Sequence, residues 1–304
     1  MSKHTFVTLE SADGAQAVIA PELGGWLLQY RRHIPELGLV DALHCTQEII
    51  DRYPKEMYAG NPVLFPLVSK SRVAGKDHVY EWEGRQYDLP QHGFGRRQPW
   101  KVIAQGPENV TMELTDNDAT RAAYPFAFRH CITYRLVEGR LHWEQVIENR
   151  SEVPMPFASG FHPYFLLPLG PGGTRNGCYI DIPESVQHQP VGEFQSFTSE
   201  PYAARHLSVA EDVSGTLFLG NLATPELALV DPGAGLEVRL NWASAPKHRF
   251  VAIWSKSTTE PFYCLEPWTA LPNAFSRPDD RELLMLEPNQ TFQAAFWMEI
   301  RKTS

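Results

Sequence analysis

Apolar and polar positions alternate with a period of two along most of this 304-residue chain, the spacing of strands that bury one face. Phe128, His130, Ile132, Tyr134 and Leu136 fall on one side of such a run, and Glu138-Gly139 then turns the chain into Leu141, Trp143, Gln145 and Ile147. Two residues ending in Gly between alternating runs predict a β-hairpin. Residues 79–89 repeat the pattern around Glu83-Gly84. Residues 101–104 and 110–115 flank a third turn, and 226–230 and 236–242 flank a fourth. Phe292, Ala294, Phe296, Met298 and Ile300 give the final strand one buried face. Helical signal is confined to short pieces within 43–53 and 119–123. No linker, repeat or low-complexity tract divides the sequence. The pattern predicts an all-β chain, one large antiparallel β-sandwich forming a single domain over residues 1–304.

Composition narrows what such a fold would do. The 25 Pro and 21 Gly are dispersed, as many short strands joined by tight turns require. A net charge of −9 argues against nucleic acid as a partner, because a phosphate polymer needs a basic face. No apolar run reaches membrane-spanning length and the N-terminus carries no apolar signal segment, so a soluble cytoplasmic protein with no membrane partner is expected. Cys45, Cys131, Cys178 and Cys264 are far apart and form no CxxC pair. They read as reduced, mostly buried thiols.

Ionisable side chains set among Gly, Pro and aromatic residues supply the candidate chemistry. His162 lies in Gly160-Phe161-His162-Pro163-Tyr164-Phe165, where His162 and Tyr164 point one way and Phe161 and Phe165 the other. Pro163 biases His162 to the extended region and so fixes the direction of its ring. A strand histidine is most often a core residue bonded to a carbonyl, but imidazole is also the natural proton donor and acceptor near neutral pH. Glu266 follows the apolar run Phe262-Tyr263-Cys264-Leu265 and precedes Pro267, which reads as a carboxylate at the tip of a buried strand, made more basic by desolvation. Trp268 beside it offers an indole face to the CH surface of a pyranose. His92, between Pro90-Gln91 and Gly93, is expected on an exposed turn. Arg96 and Arg97 follow it, and Lys70 and Arg72 precede it; their donors suit sugar hydroxyls, carboxylates or phosphates. No phosphate loop, HExxH, Gly-x-Ser-x-Gly or zinc spacing occurs. Glu266 has no acidic partner in a comparable setting, which weakens a two-carboxylate glycosidase reading.

Asn61-Pro62-Val63-Leu64-Phe65-Pro66 with Arg72, Leu89-Pro90-Gln91-His92-Gly93-Phe94-Gly95-Arg96, Phe161-His162-Pro163-Tyr164-Phe165, Leu265-Glu266-Pro267-Trp268 and Leu286-Glu287-Pro288 occur in this order. Together the sequence resembles the aldose 1-epimerase (galactose mutarotase) family over essentially its whole length. The His-Gly-Phe island looks most like the branch that includes hexose-6-phosphate 1-epimerases. The resemblance implies a β-supersandwich with a sugar cleft across one sheet and no metal or organic cofactor. It implies Glu266 as general base and His162 as general acid in opening a hexose ring at C1, with Arg72, His92 and Arg96 holding the ring oxygen and hydroxyls. The family's sugar-binding aspartate has no clear counterpart here; Asp212 and Asp231 are the nearest in sequence. The substrate implied is a small sugar or sugar phosphate, and a non-catalytic sugar-binding protein on the same fold is the remaining alternative.

Overall fold

A computed structural model describes residues 4–210, 215–279 and 281–303. Two large antiparallel sheets pack face to face. The nine-stranded sheet runs, in spatial order, Lys101–Gln105, Asn109–Thr115, Phe128–Val137, Arg140–Asn149, Thr291–Lys302, Leu236–Asn241, Glu226–Asp231, Tyr179–Asp181 and His206–Ser208. The other large sheet runs Ser196–Tyr202, Ser185–Val191, Leu217–Gly220, Phe250–Trp254, Phe262–Trp268, Gly160–Phe161 and Val63–Leu64, with Tyr164–Leu166 also paired to Phe262–Trp268. A four-stranded sheet formed by Val7–Glu10, Gln16–Ala20, Trp26–Ile34 and Gly38–Asp41 flanks them.

The hairpins form where the alternation places them. Val137 pairs with Arg140 across Glu138 (φ 50°) and Gly139 (φ 73°), the two positive φ values a two-residue turn needs. Trp82 and Arg85 close the hairpin over Glu83-Gly84 in the same way. Among the described residues the α-helices are Gln47–Asp51 and Asp118–Ala123, and no helix is long and apolar enough to cross a membrane. The four cysteines form no disulfide; Cys45 is half-buried and the others are buried.

One apolar cluster extends from Val7 to Ile300 between the sheets. Trp143 lies opposite Phe296 in the ladder and stacks on it at 5.3 Å and 9°, with Phe161 edge-on to both. Such aromatic pairs add about 0.5–1.5 kcal/mol each beyond area burial. The core also contains polar groups. His130, fully buried, sits between Phe65 and Trp100 with ring centroids 4.9 Å away on each side. His248 meets Gln145 Nε2 at 3.2 Å, and Gln145 Oε1 accepts from Ser159 Oγ at 2.8 Å. Burial pushes the pKa of both histidines down to about 3, so they are neutral in the fold.

Candidate active site

Strand Phe262–Trp268 divides its residues between core and site. Tyr263 and Leu265 enter the core cluster, while Cys264, Glu266 and Trp268 share the other face. The sequence suggests that the strand ends at Glu266; instead it continues through Pro267 to Trp268. Pro267 pairs with Val251 on one side. On the other side the ladder pairs Gly160 with Trp268 and resumes only at Tyr164 with Cys264, so the missing proline N–H falls where the pairing is broken. The same register that pairs Gly160 with Trp268 and Tyr164 with Cys264 sets His162 directly across from Glu266. Their side chains meet with Nε2 to Oε2 at 3.3 Å, both almost fully buried.

The surroundings fix this pair. The His162 ring stacks on Tyr164 at 4.5 Å and 5°, and Tyr164 Oη comes within 3.4 Å of Nε2. The His162 backbone N–H donates to Asn61 Oδ1 at 3.1 Å. Gly160 has to be glycine: a Cβ there would lie 2.6 Å from Trp268 Cδ1 and 2.8 Å from the Pro267 carbonyl oxygen. Its absence lets the indole lie along the strand beside Glu266.

His92 is the main departure from the sequence reading. It sits in a turn, with φ 63°, but is only 5% exposed. The segment around Ser69 covers it: the His92 N–H donates to the Ser69 carbonyl at 2.6 Å, and the Ser69 N–H donates to His92 Nδ1 at 3.1 Å. The neutral ring therefore carries its proton on Nε2, as a donor for a ligand. Gly93 makes this turn possible, since with φ 70° a Cβ would fall 2.2 Å from the Phe65 carbonyl oxygen. Gly93→Ala is expected to destabilise the protein by at least about 1–3 kcal/mol, read as a lower urea midpoint. An unchanged midpoint would mean that the loop is not held this way.

These residues line a cavity of about 620 Å³ on the outer face of the sheet. Of the residues singled out in the sequence, His162, Glu266, His92, Arg96 and Trp268 line it together. Arg96, buried in the Gly95–Arg97 turn, donates from Nη2 to the Gln91 carbonyl at 3.1 Å. Arg97 reaches the rim. Arg72 and Lys70 are not brought to the cavity. Arg72 pairs with Asp77 at 3.1 Å and with Glu193 at 2.6 Å, and Lys70 with Asp77 at 2.8 Å. Asp231 is fully buried and accepts from the Leu169 and Ala234 N–H groups, tying down a turn away from the cavity; Asp212 lies outside the described residues. Among the described residues the other carboxylate on the lining is Asp88.

The sequence does not assign Tyr58, Tyr164 or Trp254 to the site, where they form an aromatic wall; Tyr58 lies 6.3 Å from Tyr164 and 6.2 Å from Trp254. Tyr164 was accessible as the same-face neighbour of His162. Trp254 lies beside Cys264 in the ladder, and Tyr58 comes from an irregular segment that carries no periodic signal.

Burial raises the Glu266 carboxyl well above its usual range, against the opposing Arg96 charge and the Trp268 N–H. Burial, with Arg96 nearby, holds His162 well below its ordinary value. The site therefore favours a net-neutral pair carrying one proton between the two side chains. His92 is likewise held well below its ordinary value by burial and by Arg96. The chemistry available is transfer of that single proton to and from a bound neutral molecule.

Comparison with known proteins agrees with this architecture. The chromosomal LacX protein of Lactococcus lactis subsp. lactis is 25% identical over 226 residues, covering 69% of this chain and 73% of that protein. The Slr1438 protein of Synechocystis sp. PCC 6803 matches with a TM-score of 0.82 at 24% identity, covering 100% of this chain and 97% of the other. A galactose mutarotase related enzyme from Lactobacillus acidophilus matches with a TM-score of 0.80 at 24% identity, over 99% and 98% of the two chains. At these identities the structural likeness shows the fold. The aldose 1-epimerase family model matches residues 5–299, so the chain belongs to the aldose 1-epimerase family, which acts on sugars.

Proposed function

We propose that this protein interconverts the α and β anomers of a free hexose by opening and reclosing the pyranose ring at C1. The carrying observation is the buried cross-strand contact of His162 and Glu266 at 3.3 Å on the floor of a cavity. With the shared proton on His162, the Glu266 carboxylate takes the proton of the C1 hydroxyl while His162 protonates the ring oxygen. The C1–O5 bond breaks, C1=O1 forms, and the pair is left in the neutral arrangement that burial favours. Rotation about C1–C2 presents the other carbonyl face. O5 then attacks C1, returning its proton to His162 as Glu266 protonates O1. His92 Nε2–H and Arg96 supply donors to the ring oxygen and hydroxyls, and Trp268 supplies an apolar wall.

Anomer exchange measured by saturation-transfer NMR tests this. Glucose or galactose is expected to exchange faster with the protein, and His162→Ala is expected to remove roughly 10²–10⁴-fold of the rate. Two exposed rim cations, Lys55 and Arg97, favour a second reading in which the substrate is a hexose 6-phosphate. Acceleration of glucose 6-phosphate alone would select that reading. Sugar binding with no acceleration of any substrate would instead make this a sugar-binding protein and end both.

A further inference from the structure

We propose that His162, Cys264 and Glu266 form a binding site for a thiophilic divalent cation of the zinc class, and that occupancy blocks the proton-transfer pair. Cys264 stands two residues before Glu266 on the same face of its strand, opposite Tyr164 in the ladder. An imidazole nitrogen, the Cys264 sulfur and a carboxylate oxygen all lie within 4.8 Å of one another, and all three residues are buried. A tetrahedral zinc with bonds of about 2.0–2.3 Å spaces its donors roughly 3.3–3.8 Å apart. His162 and Glu266 already stand 3.3 Å apart, so the remaining adjustment is a shift of about 1 Å at the sulfur, within the reach of one side-chain torsion.

Independent features point the same way. Glu266 Oε2 is buried and makes no hydrogen bond among the described residues. His162 Nε2, which faces it at 3.3 Å, has a lone pair to offer when the ring proton sits on the buried, unpartnered Nδ1. One nitrogen, one sulfur and one oxygen donor suit zinc or cadmium and leave a fourth position open, whereas magnesium and calcium require mostly oxygen ligands. A thiolate and a carboxylate together neutralise a divalent cation, so Arg96 nearby faces a neutral centre rather than a second positive charge. Cys264 does not itself line the cavity. Glu266 and His162 do line it, so a cation arriving from the cavity meets them first, and once bound occupies the lone pairs that proton transfer needs.

Cadmium titration of the purified protein is expected to raise a thiolate-to-cadmium charge-transfer absorption that saturates at one equivalent, and zinc is expected to stop anomer exchange at matching occupancy. In Cys264→Ala that absorption is expected to be lost. The zinc concentration for half-inhibition, taken against the variant's own metal-free rate, should rise by about tenfold or more. Cys264→Ser, nearly the same size and still polar, gives a second folded comparison. Equal zinc sensitivity in wild type and both variants, or absorption that survives in both, overturns the inference. The inhibition readout rests on the mutarotase reading; the absorption and its stoichiometry report the cation site even if no sugar is turned over.

Discussion

Glu266→Gln is expected to lower kcat for anomer exchange by roughly 10²–10⁴-fold with KM nearly unchanged. Glutamine keeps the shape of the side chain and can still face His162 and Trp268, so sugar binding survives, but it cannot accept the C1 hydroxyl proton. Folding should not suffer. Burial already holds the Glu266 carboxyl well above its usual range, so the fold gains nothing from its charge, and a neutral amide should melt no lower than wild type. The wild-type kcat is also expected to show a broad plateau across neutral pH. A pair whose two members are pushed in opposite directions takes up a second proton only in acid and gives up its one proton only in base. A Glu266→Gln variant that retains more than about a tenth of wild-type kcat would remove Glu266 from the role of base.

The second large effect is acid instability arising far from the cavity. His130 and His248 titrate near 6.5 when unfolded but only at about 3 in the fold, because burial disfavours the imidazolium. At pH 7 neither state is protonated and stability is intact. Below 6.5 the unfolded chain binds protons that the native chain refuses, so stability falls as pH drops towards 3. Together the two histidines give a slope of about 2.7 kcal/mol per pH unit, and buried, depressed His92 adds in the same sense. Glu148 and Glu237, held low by their arginine partners, begin to lose stability only below their unfolded value of 4.5. Between pH 6.5 and 4.5 those two glutamates are silent, while Glu266, held well above its usual range by burial, opposes the histidines by taking up a proton only in the fold. In urea denaturation the contribution of one histidine is therefore read as the difference in slope between wild type and its variant. His130 makes no hydrogen bond of good geometry among the described residues, so His130→Phe is expected to hold stability at pH 7 and to remove about 1.4 kcal/mol per pH unit of the slope. An unchanged slope in that variant would reject the account.

How much of this was legible depended on whether a segment has one wet face. The hairpin of Phe128–Val137 and Arg140–Asn149 was readable because every second residue is apolar and the turn is Glu-Gly. Ser185–Val191 and Ser196–Tyr202 form an equally regular hairpin but are polar on both sides, and no alternation announces them. Trp26–Ile34 changes from wholly buried to charged within one strand, which also hides its period. In the site, His162 and Glu266 were recognisable from their strands and neighbours. The burial of His92 was not, because it depends on a segment more than twenty residues earlier. The direction of Arg72 was set by Glu193, at the tip of a distant hairpin, and no local pattern encodes that contact.

The interior position of strand Phe262–Trp268 has a consequence for how this protein could change over time. Its backbone is laddered to Phe250–Trp254 on one flank and to the Gly160–Leu166 segments on the other, so the reacting groups are mounted on a stiff plate. Lys55, His78, Arg97 and Thr216, on the cavity rim, come from loops and turns, and Asp88 ends the short hairpin strand Arg85–Asp88. Selection can exchange these contacts without disturbing the plate, much as tooling is swapped on a fixed bench. Drift in sugar preference should therefore collect in those loops, while the chemistry at C1 is inherited unchanged.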